Sequence, residues 1–341
     1  MTGLQLVKCA GFKIRAQCYN QDSGMKTRAK SPKSKVSTVE LIGAPTDVGA
    51  GARGGSMGPE ALRVAGLAQA LQHLGYRVLD QGNIAGPPNP VLPPEDGYRH
   101  LEETAVWCEK IRDQVYKSLK KKHIPVMMGG DHSLAIGSVA GISQYCAEND
   151  KPLSILWLDA HADFNTPKTS PSGNLHGMPA AVIAGIGHPR LLKICKQKPF
   201  IDASRIIQIG IRSVDAREKI ALSDTPVQVF DMRQIDELGM RAVMQKAIAM
   251  ACADGAHLHV SFDVDFLDPT IAPGVPTTVP GGVNYREAQL CMEMIADCGQ
   301  LGSLDIVELN PAFDFQNKTA ELAVELVESI FGKQVLARNP Y

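Results

Sequence analysis

Six residues of the 341 recur at spacings that suit bound cations. Asp159, His161 and Asp163 stand at i, i+2 and i+4, Asp263 and Asp265 repeat the alternation, and His132 lies in GGDHS (129–133). In extended chain, alternate positions project to one face. Four carboxylates and two imidazoles on one rim repel each other unless cations lie between them, and burying them unpaired is costly. An oxygen-rich donor set with two imidazoles and no cysteine suits Mn²⁺ better than a thiolate-seeking metal. Six ligands are too many for one zinc but suit two metals sharing bridging carboxylates. Two cations about 3.5 Å apart would hold a water, lower its pKa and present hydroxide to an electrophilic carbon. Each piece alone has a plainer reading. An Asp after a strand is commonly a helix N-cap, and His73, His100, His123, His188, His257 and His259 are read as satisfied surface or core residues. Three motifs together at strand ends favour the metal.

The elements that must position these groups are strands. Apolar runs occur at VELIGA (39–44), YRVLDQ (76–81), HIPVMMGG (123–130), LSILWLD (153–159), RIIQIGIRS (205–213), VQVFD (227–231), HLHVSFDVD (257–265) and GSLDIVELN (302–310). Most are continuously apolar, as strands buried on both faces are. Amphipathic stretches such as PEALRVAGLAQALQHLG and HLEETAVWCEKIRDQVYKSLKKK separate them. This alternation predicts an α/β fold with a mostly parallel sheet and helices on both faces. Ligands of such sheets bind beyond the carboxyl ends of the strands. Asp159, Asp215, Asp263, Asp265 and Glu308 lie at or near such ends, and His132 follows one.

The bulk composition narrows the function classes. With 44% hydrophobic residues, 21% charged and a net charge of −1, the chain has no excess charge to drive binding to nucleic acid or an acidic membrane. No apolar run approaches the roughly 18–20 residues that cross a bilayer. Eight scattered cysteines without a CxxC pair fit reduced thiols in a cytosol-like compartment. Residues 1–36 carry eight Lys or Arg against one acid, Asp22, and read as a basic, disordered extension. A mitochondrial transit peptide is the rival reading. No linker interrupts 37–341, which reads as one catalytic domain. The Pro-dense AGPPNPVLPPEDG (85–97) reads as a surface loop. The glycine-rich GAPTDVGAGARGGSMGP (43–59) lacks GK[ST] and a clean GxGxxG turn, so it reads as a shaped loop over a site rather than a nucleotide cradle.

GGDHSLAIGS, LDAHADFNTPKTSPSGNLHGMP, SFDVDFLDP with GGVNYREA, and LDIVELNP resemble the signatures of the ureohydrolases, most closely the arginases, from about residue 39 to the end. The resemblance implies a three-layer α/β/α sandwich around a central eight-stranded parallel sheet. It also implies two manganese ions per subunit, hydrolysis of L-arginine to L-ornithine and urea, and a homotrimer or homohexamer. His132, Asp159, Asp163 and Asp263 match the ligands of one manganese, and Asp159, His161, Asp263 and Asp265 those of the other. His176 matches a proton-shuttling histidine, and Glu308 the carboxylate that anchors the guanidinium; Asp163 counts with them as catalytic. Asn165 and Ser172 match contacts to the substrate α-carboxylate, and Asp215 the acid facing the α-ammonium. Glu218, Ser170 and Thr277 complete the expected substrate site. The string NTPKTSPSGN favours arginine over agmatine or guanidinobutyrate, which remain the alternative substrates. Pro276 stands where the family usually has glycine and is expected to alter the wall near Thr277.

Overall fold

The computed structural model describes residues 36–336. Eight strands run through them: β1 (Thr38–Gly43), β2 (Arg77–Asn83), β3 (Ile124–Met128), β4 (Leu153–Leu158), β5 (Ile206–Ile211), β6 (Gln228–Asp231), β7 (His257–Asp263) and β8 (Leu301–Val307). They form one sheet in the order β2-β1-β3-β8-β7-β4-β5-β6, and every pairing is parallel. The sheet is therefore wholly parallel rather than mostly so. The basic extension read at residues 1–36 lies outside the described residues except for Val36, as do Cys9 and Cys18. The six described cysteines are free.

Among the described residues, eleven α-helices cover the two faces. They are α1 (Gly58–Val64), α2 (Leu67–His73), α3 (Leu101–Lys120), α4 (Ala135–Glu148), α5 (Pro179–Ile183) and α6 (Pro189–Leu192). After β5 come α7 (Ala216–Ser223), α8 (Met232–Leu238), α9 (Met240–Ala251), α10 (Tyr285–Cys298) and α11 (Lys318–Ile330). One apolar layer packs α1, α2 and α8–α11 against Leu41, Leu156, Ile207, Val260 and Ile306. The other packs α3–α7 against Ile42, Met127, Ile155, Trp157 and Val307. The result is a three-layer α/β/α sandwich, as the alternation of strand and helix requires. The stretch 59–75, which reads as one helix, is two, because Gly66 at φ 86° separates α1 from α2.

Central strands are continuously buried, and β4, β5 and β7 have no partly exposed residue. β2 departs from that pattern because it is an edge strand, with five of its seven residues exposed. β7 is buried yet polar on alternate positions: His257, His259, Ser261 and Asp263 fall on the period-2 face opposite Leu258, Val260 and Phe262. His257 and His259 each meet Ser303 Oγ at 3.0 Å, so their burial is partly satisfied inside the sheet. No helix among the described residues is long and apolar enough to cross a membrane.

Candidate metal centre and substrate pocket

Strand register brings the first acids together. Leu158 on β4 pairs with Phe262 on β7, so Asp159 and Asp263, each one residue further on, emerge side by side. His132 opens a 3-10 turn just beyond β3, capped by Asp131, which accepts from Ser133 N at 3.0 Å. His132 Nδ1 lies 3.1 Å from Asp159 Oδ2, 3.0 Å from Asp163 Oδ2 and 3.1 Å from Asp263 Oδ2. His161 Nδ1 lies 2.9 Å from Asp265 Oδ2 and 3.7 Å from Asp159 Oδ1. Two groups could each hold a metal ion, His132–Asp159–Asp163 and Asp159–His161–Asp265, and they share Asp159.

The local geometry differs from the extended face that the alternate spacing suggests. The chain leaves β4 at Leu158, and Asp163 turns back with φ 50°. Asp265 lies in a 3-10 turn, Val264–Phe266. Glu308 is likewise left-handed, with φ 61°. Non-glycine residues in this region cost energy and cluster at sites where surrounding contacts over-determine them.

Outer contacts hold each candidate ligand. Trp157 Nε1 donates to Asp159 Oδ2 at 2.8 Å, and the Trp157 ring stacks on His132 with centroids 4.2 Å apart. Ala160 N donates to Asp265 Oδ1 at 3.1 Å, and Asp265 N to Asp263 Oδ1 at 2.8 Å. His132 Nε2 meets Ser261 Oγ at 2.8 Å. With that nitrogen donating, Nδ1 keeps a lone pair aimed at three carboxylates. Nδ1 is buried and has no hydrogen-bond partner.

The electrostatics carry the same message. Burial, with Asp265 and Asp159 beside it, drives the Asp263 carboxyl well above the usual range. Burial and then Asp159 push Asp163 up to about 6. Burial alone would raise Asp159 as well, but His132 and His161 hold it below its ordinary value. Burial opposes charge on His161, yet Asp265 and Asp159 raise it to about 12. Without a cation, these groups coexist only by taking up protons. The orphaned Nδ1 amid three acids, in a donor set of oxygen and imidazole nitrogen, fits divalent metal.

Above this floor opens a cavity of about 230 Å³. Twelve of the expected residues line it: His161, Asp163, Asn165, Ser170, Ser172, His176, Asp215, Glu218, Asp263, Asp265, Thr277 and Glu308. His132 and Asp159 lie beneath, 1% and 0% exposed. Glu308 Oε1 accepts from His132 N at 2.7 Å and meets His176 Nδ1 at 3.0 Å. Burial would lower the His176 pKa, but Glu308 first, then Asp131 and Asp163, lift the ring to about 9.

The far wall is the segment after β4. Ser170 Oγ accepts from Gly173 N at 2.9 Å, and Ser172 Oγ from Asn174 N at 3.2 Å. Each hydroxyl proton is left free to point into the cavity. Asn165 Nδ2 donates to Asp215 Oδ2 at 3.0 Å, while the buried Asn165 Oδ1 has no partner. Thr277 Oγ1 donates to Asp265 Oδ2 at 3.3 Å. The neighbouring Pro276 does not line the cavity. Glu218 has both oxygens engaged, accepting from Phe164 N at 2.7 Å and Asp215 N at 3.0 Å. Its contacts make it a clamp between α7 and the segment after β4.

Sequence reasoning missed Asn174 in the cavity wall and the pair that seats His176. Asp131 Oδ2 accepts from Gly49 N at 2.9 Å, and Gly49 O accepts from His176 N at 3.1 Å. The glycine-rich loop thus ties the His132 turn to His176. Asp131 had a signal in its place beside His132; Gly49 had none beyond loop composition.

The arginase family model matches residues 37–332. The arginase of Brucella melitensis is 42% identical over 310 residues, which cover 88% of this chain and 97% of that protein. The crystal structure of the Bacillus caldovelox arginase superposes with a TM-score of 0.84 at 40% identity, covering 88% of this chain and all of that one. The Entamoeba histolytica arginase, solved in complex with L-ornithine, gives 0.81 at 30% identity, with coverage of 88% and 100%.

Proposed function

The chain belongs to the arginase family, and from that premise we propose that it hydrolyses L-arginine to L-ornithine and urea in a manganese-dependent reaction. The observation that carries the reading is the unpartnered His132 Nδ1 facing three buried carboxylates at the floor of a cavity with a hydroxyl- and amide-lined far wall. His132, Asp159, Asp163 and Asp263 would hold one ion, and Asp159, His161, Asp263 and Asp265 the other. When bound, such a pair supplies water made acidic enough to be a nucleophile at neutral pH.

The chain's own residues do the rest. Glu308 receives the guanidinium, a planar cation whose N–H fork matches a carboxylate. Asp163, in the catalytic group with Glu308 and His176, lies in the lining of the same cavity. As the bond from the guanidinium carbon to the nitrogen retained by ornithine breaks, that nitrogen needs a proton. His176, held through Nδ1 by Glu308, which favours its charged form, donates it from Nε2. Ser170, Ser172 and Asn165 offer donors to the α-carboxylate, and Asp215 faces the α-ammonium with Glu218 behind it. A wall built for these charges rejects agmatine, which lacks the carboxylate, because its polar groups would go unpaired.

A urea assay across L-arginine, agmatine and guanidinobutyrate, with metal analysis of the same sample, tests the reading. Arginine is expected to be turned over fastest, and chelation to abolish urea release and lower Tm, with both restored by Mn²⁺. Faster turnover of agmatine, or full activity in metal-free protein, overturns it.

A further inference from the structure

The Pro-dense loop 85–97 packs on the far wall of the cavity. Arg99 N donates to Gly173 O at 2.8 Å, and Gly97 and Gly173 lie against Pro167 and Pro94. Arg99 then reaches past this seam. Its Nε donates to Asn174 Oδ1 at 2.7 Å and its Nη1 to Leu92 O at 3.0 Å. Among the described residues it has no carboxylate partner, so its charge is not cancelled by an ion pair.

Two consequences follow from side-chain chemistry. A guanidinium only donates, so the atom it holds is the carboxamide oxygen, and Asn174 is left with Nδ2–H donors for the cavity it lines. Gly51 leaves space there, since a Cβ at that position would come within 2.7 Å of Nδ2. The cavity's charged lining is six acids and two histidines, with no Lys or Arg. That lining attracts a guanidinium and repels a carboxylate. Arg99 places a fixed positive charge directly behind the wall where the carboxylate must sit.

We propose that Arg99 is a positioning residue that sets the preference for guanidines bearing a carboxylate, by fixing Asn174 as a donor and by placing positive charge behind the Ser170–Asn174 wall. The inference rests on the proposed arginine hydrolysis.

The test is Arg99→Met in the full, manganese-loaded chain, with kcat and KM for L-arginine and agmatine and inhibition by ornithine and putrescine. KM for arginine is expected to rise about tenfold with kcat within about twofold, the pattern of lost uniform binding. Ornithine inhibition should weaken by a similar factor, while agmatine turnover and putrescine inhibition stay unchanged. Arg99→Lys, which keeps the charge but loses the fork, should fall between. An unchanged arginine KM, or equal losses on both substrates, overturns the role of Arg99. If Arg99→Met does not fold, Asn174→Asp replaces the donor by an acceptor and should show the same arginine-selective rise; equal losses again refute the idea. A wild-type protein that prefers agmatine defeats the underlying reading before any variant is made, which keeps the two failures apart.

Discussion

Gly49 joins three parts of the pocket at one residue: its N–H reaches Asp131, its carbonyl takes the His176 N–H, and its bare Cα lies under the His132 turn. A Cβ there would fall 2.5 Å from Ser133 Oγ and 2.7 Å from Asp131 Oδ1. Gly49→Ala must therefore shift the loop that seats His176. Since small displacements of a reacting group are costly, kcat should fall about 10- to 100-fold with KM little changed. Steady-state kinetics with kcat within twofold of wild type would show that Gly49 does not place the ring. At this scale the sequence was informative about the acids, because DxHxD and DxD after apolar runs are unusual. It was silent on Gly49, Asn174 and Arg99, whose roles arise from contacts between distant segments. It also misled on geometry, since nothing in the spacing signals the left-handed Asp163 or the turn that carries Asp265.

Two helices of similar build separate stability from function. Asn284 caps α10, accepting from Arg286 N at 3.0 Å and Glu287 N at 3.1 Å, and Glu287 Oε2 takes Asn284 N at 3.1 Å. At α7, Glu218 takes the N-cap N–H of Asp215 in the same way but also holds Phe164 N, next to Asp163. Asn284→Ala should cost about 1 kcal/mol of stability and leave kinetics intact. Glu218→Ala should cost at least as much and also raise KM for arginine, because the freed segment carries Asp163 and Asn165. Thermal melts paired with kinetics check both, and an unchanged KM in Glu218→Ala would reduce it to a helix cap. The strands were readable as apolar runs because most are buried on both faces. Which of them form the sheet's edges was not, because YRVLDQ and VQVFD read as strands like the others.

Across the whole molecule, the buried polar stripe on β7 couples folding to pH. Burial, with His259 and Lys151 nearby, lowers the His257 pKa to about 3, so this ring is neutral in the folded protein. In the unfolded chain it titrates near 6.5. Below that value the unfolded state binds the extra proton, so stability falls as pH drops from about 6.5 toward 3, by up to ~1.4 kcal/mol per pH unit for this group. His257→Gln should flatten that part of the stability profile in chemical denaturation from pH 7 to 4; an unchanged slope assigns the acid sensitivity elsewhere. The topology was readable from the alternation of strand and helix, whereas the order of the strands was not, because nothing local tells a segment which neighbour it will pair with.

The ions' proposed ligands stand at or just beyond the carboxyl ends of interior strands, while most contacts proposed for the substrate's other end, Asp215 apart, crowd into one segment, residues 165–174, braced by a second loop. Reactivity and selectivity are thus anchored in separate parts of the chain. An engineer could exchange that short segment together with its brace, keep the hydrolytic floor, and search for catalysts of other guanidines without rebuilding the barrier-lowering machinery.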